Sequence, residues 1–486
     1  MGQTVIEYNT LFIGGRWEEP ASSEIIEVVS PHDGRVIGRV PHAGEADVDR
    51  AVHAARDAFD NGPWPRLPLA ERLAVLVRIK ELMIARKDEF ARTISAQNGS
   101  PLSFSITTQA VAAAVQFGLV ARLAASYAFE EERQGLRQPL LVRREPVGVV
   151  AAVVPWNVPQ FVTAAKLAPA LAVGCTVVLK PSPETPLDAY LLAEVCVEAG
   201  LPEGVLSVLP ADRAVSSYLV GHPGIDKVSF TGSVAAGRQV MAAAAQNLCK
   251  VTLELGGKSA AIVLEDADLE TTVTGVVSGS MLNNGQACVA LTRILLPRSR
   301  YPEFAAALTR AYGSLKVGDP MEADTQIGPL VSRRQQQRNL DYIAIGKEEG
   351  ATLLVGGGVP EGLEQGAYVQ PTLFGDVTND MRIAREEIFG PVVCLLPYED
   401  EAEALRMAND SDYGLSGAVF TADVGHGIEI ARRVRTGTFT VNGFALDLTA
   451  PFGGYKNSGV GREFGAEGLG EYLEHKTIAL PAAVVS

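Results

Sequence analysis

The sequence contains few groups that bind metals or form disulfides. Its 486 residues include five cysteines and six histidines, which are scattered without a Cys-x-x-Cys pair or a His-Glu-x-x-His motif. An odd number of separated cysteines argues against a disulfide framework or a zinc ribbon and fits a reducing compartment. The sequence therefore predicts free thiols, no metal site and a cytoplasmic location.

Long apolar runs and an excess of positive charge are also missing. No run of about 18 uncharged apolar residues occurs, so we expect no membrane-spanning segment. The N-terminal MGQTVIEYNT lacks the basic and apolar regions of a signal peptide. The net charge of −15 argues against nucleic acid or an anionic membrane as a partner. The composition is that of a globular enzyme with two or three domains.

The chain changes character near Arg143, where strand and helix patterns begin to alternate. VGVVAAVVPW (147–156) is a valine-rich run typical of a strand buried on both faces. Further apolar strands follow, with predicted helices of about 10–15 residues between them, which indicates βαβ units and a parallel sheet. A second α/β series runs from about 260 to 442. Before these series, apolar spacing predicts long helices over about 69–96 and 107–128.

Cys288 is a candidate nucleophile in NNGQACVAL (283–291), where small and polar residues leave the backbone accessible. A thiol is a strong nucleophile even though it is mostly protonated at neutral pH. An isolated cysteine is more often a small buried apolar residue. Whether Cys288 is a nucleophile therefore depends on which other functional groups accompany it.

Three other segments contain candidate functional groups that could act with Cys288. Glu254 ends an apolar strand in LELGGKS (253–259) and could act as a general base, the alternative being a solvent-facing glutamate. Asn157 follows a buried strand in PWN (155–157), where its amide could donate to a developing oxyanion. The small-residue turn and helix start of FTGSVAAG (230–237) suit a phosphate.

Together these segments resemble the NAD(P)-dependent aldehyde dehydrogenase superfamily of the hydrolytic, non-acylating type. The resemblance covers nearly the whole chain. Seven motifs occur in the order of the family: PWNVP, VVLKPSPETP, HPGIDKVSFTGS, LELGGKS, NNGQACV, EEIFGPVV and APFGGYKNSGVGRE.

The resemblance implies an α/β fold with a Rossmann-like cofactor domain, an α/β catalytic domain and a small β oligomerisation arm. The expected limits are 1–124 and 147–255 for the cofactor domain, 256–470 for the catalytic domain, and 125–146 and 471–486 for the arm. Exposed strand edges are unstable unless they are paired. We therefore expect a homodimer or a homotetramer.

The resemblance also implies the roles of the catalytic residues. Cys288 attacks an aldehyde, and the Asn157 amide and the Cys288 backbone N–H hold the oxyanion. Hydride transfer to a nicotinamide leaves a thioester, which water activated by Glu254 hydrolyses to the acid. Lys166 and Glu463 match positions proposed for proton relay, the alternative being a plain ion pair or a solvated surface.

The cofactor is expected to be NAD. Its expected contacts are Val154, Pro155, Trp156, Lys180, Ser182, Glu184, Phe230, Thr231, Gly232, Ser233, Gly237, Leu255, Gly256, Glu387 and Phe389. Many NAD-preferring relatives have a glutamate three residues after the lysine, but this position is Pro183 here and the acid comes one residue later. This shift leaves NADP open.

The substrate pocket differs from the common family pattern. Val158 and Ala165 replace bulky residues, and Phe444, Leu446 and Phe452 are expected to supply the remaining apolar lining. We therefore expect bulky or branched aldehydes as substrates. The alternatives are a CoA-acylating enzyme, which the presence of Glu254 disfavours, a reductase, and a non-catalytic binding protein on the same fold.

Overall fold

The structure, a computed structural model, describes residues 5–481. Residues 1–4 of the expected cofactor domain and 482–486 of the expected arm lie outside the described residues. The strands in chain order are β1 Ile6–Glu7, β2 Leu11–Ile13, β3 Arg16–Glu18, β4 Ile25–Val29, β5 Val36–Pro41, β6 Glu130–Gln134, β7 Pro139–Pro146, β8 Val149–Val153, β9 Thr176–Lys180, β10 Leu206–Val208, β11 Lys227–Thr231, β12 Lys250–Glu254, β13 Ser259–Val263, β14 Leu291–Pro297, β15 Thr352–Val355, β16 Thr372–Gly375, β17 Val392–Tyr398, β18 Gly417–Phe420, β19 Thr440–Val441, β20 Gly459–Val460 and β21 Leu473–Ala479.

The helices lie mainly between these strands. They are α1 Glu45–Asp60, α2 Leu69–Ala85, α3 Lys87–Asn98, α4 Leu102–Phe104, α5 Ala113–Ser126, α6 Pro159–Val173, α7 Leu187–Glu198, α8 Arg213–Val220, α9 Val234–Ala245, α10 Leu269–Ser280, α11 Tyr301–Gly313, α12 Arg333–Glu348, α13 Arg382–Arg385, α14 Glu401–Asn409, α15 Val424–Arg433 and α16 Gly465–Gly470. A π-helical segment, Ser105–Ala112, joins α4 to α5.

The first large sheet has eight strands in the order β20-β12-β11-β8-β9-β10-β2-β3. Its central strands are parallel, and β20 and β2 pair antiparallel at the two sides. Alternate residues of β8 and β9 enter two different apolar cores, because both faces are covered by helices. Helices α1, α8 and α9 pack on one face, and α6, backed by α2 and α5, packs on the other.

The second large sheet has seven strands in the order β15-β16-β17-β14-β13-β18-β19, all parallel except β15. A separate antiparallel sheet, β21-β7-β6, is built from the two segments expected to form the arm. Strand β20 comes from the 256–470 segment but pairs with β12, where Gly459 lies opposite Glu254. The domain limits stay predictions, and β20 is a strand of the 256–470 segment that lies in the first large sheet.

Two helices differ from their sequence-based expectation. The stretch expected over 69–96 is interrupted at Arg86, whose guanidinium bonds to Glu194 on α7, a contact that local apolar spacing does not reveal. The stretch expected over 107–128 begins in the π-helical segment. Among the described residues, one helical stretch, Leu102–Ser126, is long and apolar enough to cross a membrane. That is weak evidence, since its most apolar part is half buried and core helices pass the same test.

Candidate active site

The loop before Cys288 is held in an unusual backbone conformation. Asn283, Asn284 and Gly285 all have positive φ, at 51°, 61° and 73°. Asparagine and glycine tolerate this left-handed region better than other residues. Cys288 is partly exposed where the loop ends. Burial raises the pKa of its thiol above the usual value, and the nearby charges of Glu387 and Glu254 raise this pKa further.

Asn157 lies beside this loop at the N-terminal end of α6. Its side chain is buried, and Nδ2 donates to the carbonyl oxygen of Gln286 at 2.9 Å. An amide carries two N–H groups, so one anchors the side chain and the other is available to an oxyanion. The expected oxyanion donor is thus anchored to Gln286, which precedes Cys288 by two residues.

Glu254 is the last residue of β12 and is 3% exposed. Neither carboxylate oxygen has a hydrogen-bond partner among the described residues. Burial raises the pKa of Glu254 well above its usual value, and the charge of Glu463 adds to the shift. A carboxylate that is destabilised in this way accepts a proton readily, as a general base must.

Lys166 and Glu463 form a buried ion pair behind Glu254. Lys166 Nζ donates to Glu463 Oε1 at 2.6 Å and to Ser229 Oγ at 3.2 Å, and both charged side chains are at most 5% exposed. The ion pair, one of the two interpretations of the sequence, is present. Its position next to Glu254 is compatible with a proton relay as well.

A cleft of about 1040 Å³ opens beside Cys288 between the two large sheets. Most of the expected cofactor residues line it: Pro155, Trp156, Thr231, Gly232, Ser233, Leu255, Gly256, Glu387 and Phe389. The rings of Trp156 and Phe389 meet edge to face, with centroids 5.2 Å apart. Burial raises the pKa of Glu387 to about 7.

The two glycines of LELGGKS lie in close contacts around this cleft. A side chain at Gly256 would put its Cβ 2.3 Å from Glu387 Oε2, and one at Gly257 would put its Cβ 2.2 Å from the Cys288 carbonyl oxygen. The Gly257 N–H donates to Glu387 Oε1 at 3.0 Å. The glycines thus let the ends of the two sheets approach each other at the site.

The other expected cofactor residues do not line this cleft. Val154, Phe230 and Gly237 are buried, and the side chains of Val154 and Phe230 belong to the two apolar cores of the first large sheet. Lys180, Ser182 and Glu184 lie at the end of β9, where Ser182 Oγ donates to Glu184. Burial lowers the pKa of Lys180 to about 8, opposed by the charge of Glu184. The roles of these residues stay predictions.

The far wall of the cleft was missed by the sequence analysis. It comes from α12, which contributes Arg334, Gln335 and Arg338. Arg338 donates to the main-chain carbonyls of Glu387 and Ile388, at 2.6 and 3.3 Å. Only an unusually polar helix start, SRRQQQR, marks these residues in the sequence, and such a pattern is also typical of an exposed helix face.

Apolar residues surround Cys288 on its other side. Phe444, Leu446 and Phe452 cluster with it, and Ala165 is buried within α6, which Val158 precedes. The sequence did not indicate two further rings, those of Phe161 and Phe464. The centroid of the Phe464 ring lies 5.9 Å from the centroids of the Phe161 and Phe452 rings. A chamber of about 300 Å³ lies beyond Phe464, lined by Gln116, Leu119, Val120, Arg122, Leu123, Leu448, Thr449, Phe464 and Gly465.

Phe464 is held in a strained conformation. Its φ of 58° and ψ of 170° fall in a region that is almost restricted to glycine. The strained residue follows Glu463 directly, packs in the Cys288 cluster and lines the chamber. Its backbone therefore links the buried ion pair to the apolar lining.

A thiol, Cys288, and an amide donor, Asn157, line the cleft, and a buried carboxylate, Glu254, lies near the thiol, an arrangement typical of an enzyme active site. The chain belongs to the aldehyde dehydrogenase family, whose model matches residues 17–478. It is therefore an enzyme that oxidises an aldehyde to a carboxylic acid with reduction of NAD(P).

Three relatives show how close the match is. Geranial dehydrogenase from Castellaniella defragrans is 46% identical over 98% of this chain and 99% of its own. A Mycobacterium tuberculosis aldehyde dehydrogenase, solved with NAD+, is 50% identical over 99% of this chain and all of its own, with a TM-score of 0.98. A mutant of aldehyde dehydrogenase C from Pseudomonas syringae, solved with NAD+ and octanal, is 43% identical over 97% of this chain and 96% of its own, with a TM-score of 0.94.

Proposed function

We propose that the enzyme is a hydrolytic aldehyde dehydrogenase in which Cys288 forms the covalent bond to substrate. The observation that carries the proposal is the grouping of Cys288 with an anchored amide, Asn157, in one cleft and with a nearby buried carboxylate, Glu254, that has no hydrogen-bond partner among the described residues. The raised pKa of the thiol means that Cys288 must lose its proton before it attacks.

The oxyanion formed by this attack is held by the free N–H of the Asn157 amide and by the Cys288 backbone N–H. These donors are fixed before the reaction, so they need no reorganisation as charge develops. Such a donor contributes about 10²–10³ in rate. The anchoring of Asn157 to Gln286 supports this role, because it sets the direction of the second N–H.

The cleft residues fit a dinucleotide. Gly256 and Gly257 leave space where any side chain would collide with Glu387 or Cys288, and Ser233 begins α9, where helix N–H groups suit a phosphate. Glu387 would hold the nicotinamide ribose, and Trp156 and Phe389 would flank it. Bound NAD(P) supplies the hydride acceptor.

Glu254 activates the water that hydrolyses the thioester on Cys288. Its raised pKa makes it a stronger base once it is ionised, and its buried position excludes bulk water from the intermediate. The proton it takes up leaves through Glu463 and Lys166. The charge of Glu463, which already raises the pKa of Glu254, supports a direct electrostatic coupling between them.

The cofactor is NAD in preference to NADP. Glu184 brings a negative charge to the end of β9, next to Lys180, where a 2′-phosphate would be repelled. Arg334 bonds to the Glu184 carboxylate at 3.2 Å and offsets part of this charge. The relative from Mycobacterium tuberculosis was solved with NAD+, which supports the preference.

The substrates are aldehydes with bulky, branched or long apolar tails. The tail would pass Phe452 and Phe464 and enter the chamber of about 300 Å³. The small residues Val158 and Ala165 widen the passage. Relatives named for geranial and solved with octanal support this substrate class.

The enzyme is a cytoplasmic homodimer or homotetramer joined through the arm sheet. Strands β6 and β21 are the edges of this sheet, and their side chains are mostly exposed. Edge strands of this kind are protected by pairing with another chain. Light scattering of the protein in solution would give its mass, and a monomer would contradict the proposal.

One assay tests the proposed activity. The protein is mixed with NAD or NADP and aldehydes of increasing size, with and without CoA, and reduced nicotinamide is followed. We expect turnover with NAD that does not depend on CoA, and loss of turnover in Cys288→Ala. Activity only with CoA would identify an acylating enzyme, and no signal with any pair would favour a binding protein.

A further inference from the structure

The main-chain carbonyl oxygen of Asn157 accepts hydrogen bonds from three side-chain amides. Asn283 Nδ2 lies 2.9 Å away, Asn98 Nδ2 3.0 Å and Gln109 Nε2 3.2 Å. A carbonyl oxygen has two lone pairs, so three donors exceed its ordinary capacity. None of these bonds belongs to a helix or a sheet, and therefore regular structure does not account for them.

The three donors come from separate parts of the chain. Asn98 ends α3, Gln109 lies in the π-helical segment, and Asn283 lies in the left-handed loop before Cys288. All three side chains are at most 4% exposed. Short π-helical segments occur frequently at functional sites, where they turn a side chain out of the ordinary helical position.

Further bonds tie the donors to one another. Ser100 Oγ donates to Asn283 Oδ1 and accepts from Gln109 Nε2, and the Ser100 N–H donates to Asn98 Oδ1. The Asn157 side chain is bound to Gln286 in the same loop that holds Asn283. Both the backbone and the side chain of Asn157 are therefore fastened to the Cys288 loop.

We propose that Asn98, Gln109 and Asn283 are positioning residues that hold the Asn157 side-chain amide in a fixed position relative to the sulfur of Cys288. None of the three lines the cleft or the chamber. Their effect is carried by the Asn157 carbonyl, so the proposal rests on the oxyanion role of Asn157 given above. A displacement of about 1 Å in such a site can cost up to about 100-fold in rate.

Gln109 is the best residue to test, because it lies outside the Cys288 loop. Gln109→Met keeps the length of the side chain and removes the donor. The reaction is acylation of the whole enzyme by p-nitrophenyl acetate without cofactor: the Cys288 sulfur displaces p-nitrophenolate, the thiol proton goes to solvent, and a thioester forms. The initial burst of p-nitrophenolate gives the acylation rate separately from the later hydrolysis of the thioester, and mass spectrometry of quenched samples locates the acyl group on Cys288.

The decisive comparison is a double-mutant cycle with Asn157→Ala. We expect Gln109→Met to slow acylation about tenfold in the native background and less than about twofold in the Asn157→Ala background. A purely structural role for Gln109 would lower the rate equally in both backgrounds, and that result would overturn the proposal.

Gln116 offers a matched control on the same helical stretch. It is also a buried glutamine, and its Nε2 donates to a main-chain carbonyl, that of Phe161, at 3.1 Å. Gln116→Met should change the acylation rate by the same factor in the native and in the Asn157→Ala background. Coupling of equal size for Gln116 and Gln109 would contradict a specific positioning role.

The outcomes also separate this proposal from the proposed function. No effect of Asn157→Ala on acylation would refute the oxyanion role and, with it, the positioning role. A slow Asn157→Ala enzyme with an additive Gln109→Met effect would refute the positioning role alone. If Gln109→Met does not fold, as judged by its melting temperature, Asn98→Ala removes another donor to the same carbonyl and enters the same cycle.

Discussion

Replacing Leu123 with glutamate should abolish the preference for long aldehydes and leave the shortest aldehyde unaffected. Leu123 lines the chamber beyond Phe464, together with apolar residues of α5. A carboxylate at this position would have to be desolvated when an apolar tail enters. Acetaldehyde carries only a methyl group beside its carbonyl and should not reach the chamber, so its reaction provides an internal reference.

The size of the effect follows from the burial of methylene groups. Each buried CH2 contributes about 0.8 kcal/mol, and a tenfold change corresponds to about 1.4 kcal/mol. The kcat/KM value should therefore rise up to about fourfold for each methylene that enters the chamber. This gain is mostly a lower KM, because the tail is bound equally in the ground and transition states.

The assay measures kcat/KM over the straight-chain aldehydes from acetaldehyde to octanal. In Leu123→Glu we expect the rise with chain length to be lost. Val197→Glu is a matched control, since Val197 is exposed on α7 and does not line the chamber. An unchanged slope in Leu123→Glu would refute the assignment of the chamber, and a native enzyme fastest with acetaldehyde would refute the proposed substrate class.

Three further predictions concern the charged groups of the site. Glu184→Gln should raise kcat/KM for NADP relative to NAD by about tenfold, because it removes a repulsive charge and frees Arg334; equal ratios in both enzymes would contradict this. Lys166→Met should lower the free energy of unfolding by about 3–5 kcal/mol, because Glu463 loses its buried partner, as urea titration would measure; removing both charges should restore most of this loss. Because the pKa of Cys288 is raised, the protonated and inactive thiol persists above neutral pH. The value of kcat/KM should therefore rise by up to about tenfold per pH unit from about pH 6 to about pH 9. A profile that falls over this range would exclude thiolate attack as the limiting event.

Local patterns in the sequence anticipated much of this architecture. The apolar strand of 147–156 and the helices after it predicted a parallel sheet buried on both faces, because that burial leaves a direct trace in residue type. The partner of β12 at the sheet edge could not be predicted. That partner, β20, lies about two hundred residues further along the chain, and two-residue strands carry no periodic signal.

The residues of the candidate site could be predicted where a sequence motif specifies both the residue and the residues beside it. The glycines of LELGGKS illustrate this, since the Cys288 carbonyl leaves no room for a side chain at Gly257 and the Glu387 carboxylate lies against Gly256. Residues whose role depends on packing between distant segments were missed. Phe464 and Arg338 are examples: an aromatic residue or an arginine outside a motif gives no hint of the cleft or the chamber that it lines.

The buried polar cluster around Asn157 was missed for a related reason. Gln109 lies in a stretch whose apolar pattern predicts an ordinary helix, and the π-helical geometry that turns it toward the Asn157 carbonyl depends on tertiary contacts. A buried glutamine within a helix is visible in the sequence only as an interruption of the apolar pattern. Its partner can be found only in three dimensions.

The most direct test of the proposed mechanism is the pre-steady-state reaction of Glu254→Gln with NAD and a long aldehyde. Acylation of Cys288 precedes hydrolysis, so we expect a burst of about one equivalent of reduced nicotinamide per site, followed by turnover slowed by about 10²–10⁴-fold. The acyl group should then be found on Cys288 by mass spectrometry. Loss of the burst would mean that Glu254 acts before the thioester forms, and an acyl group on any other residue would contradict the central role of Cys288.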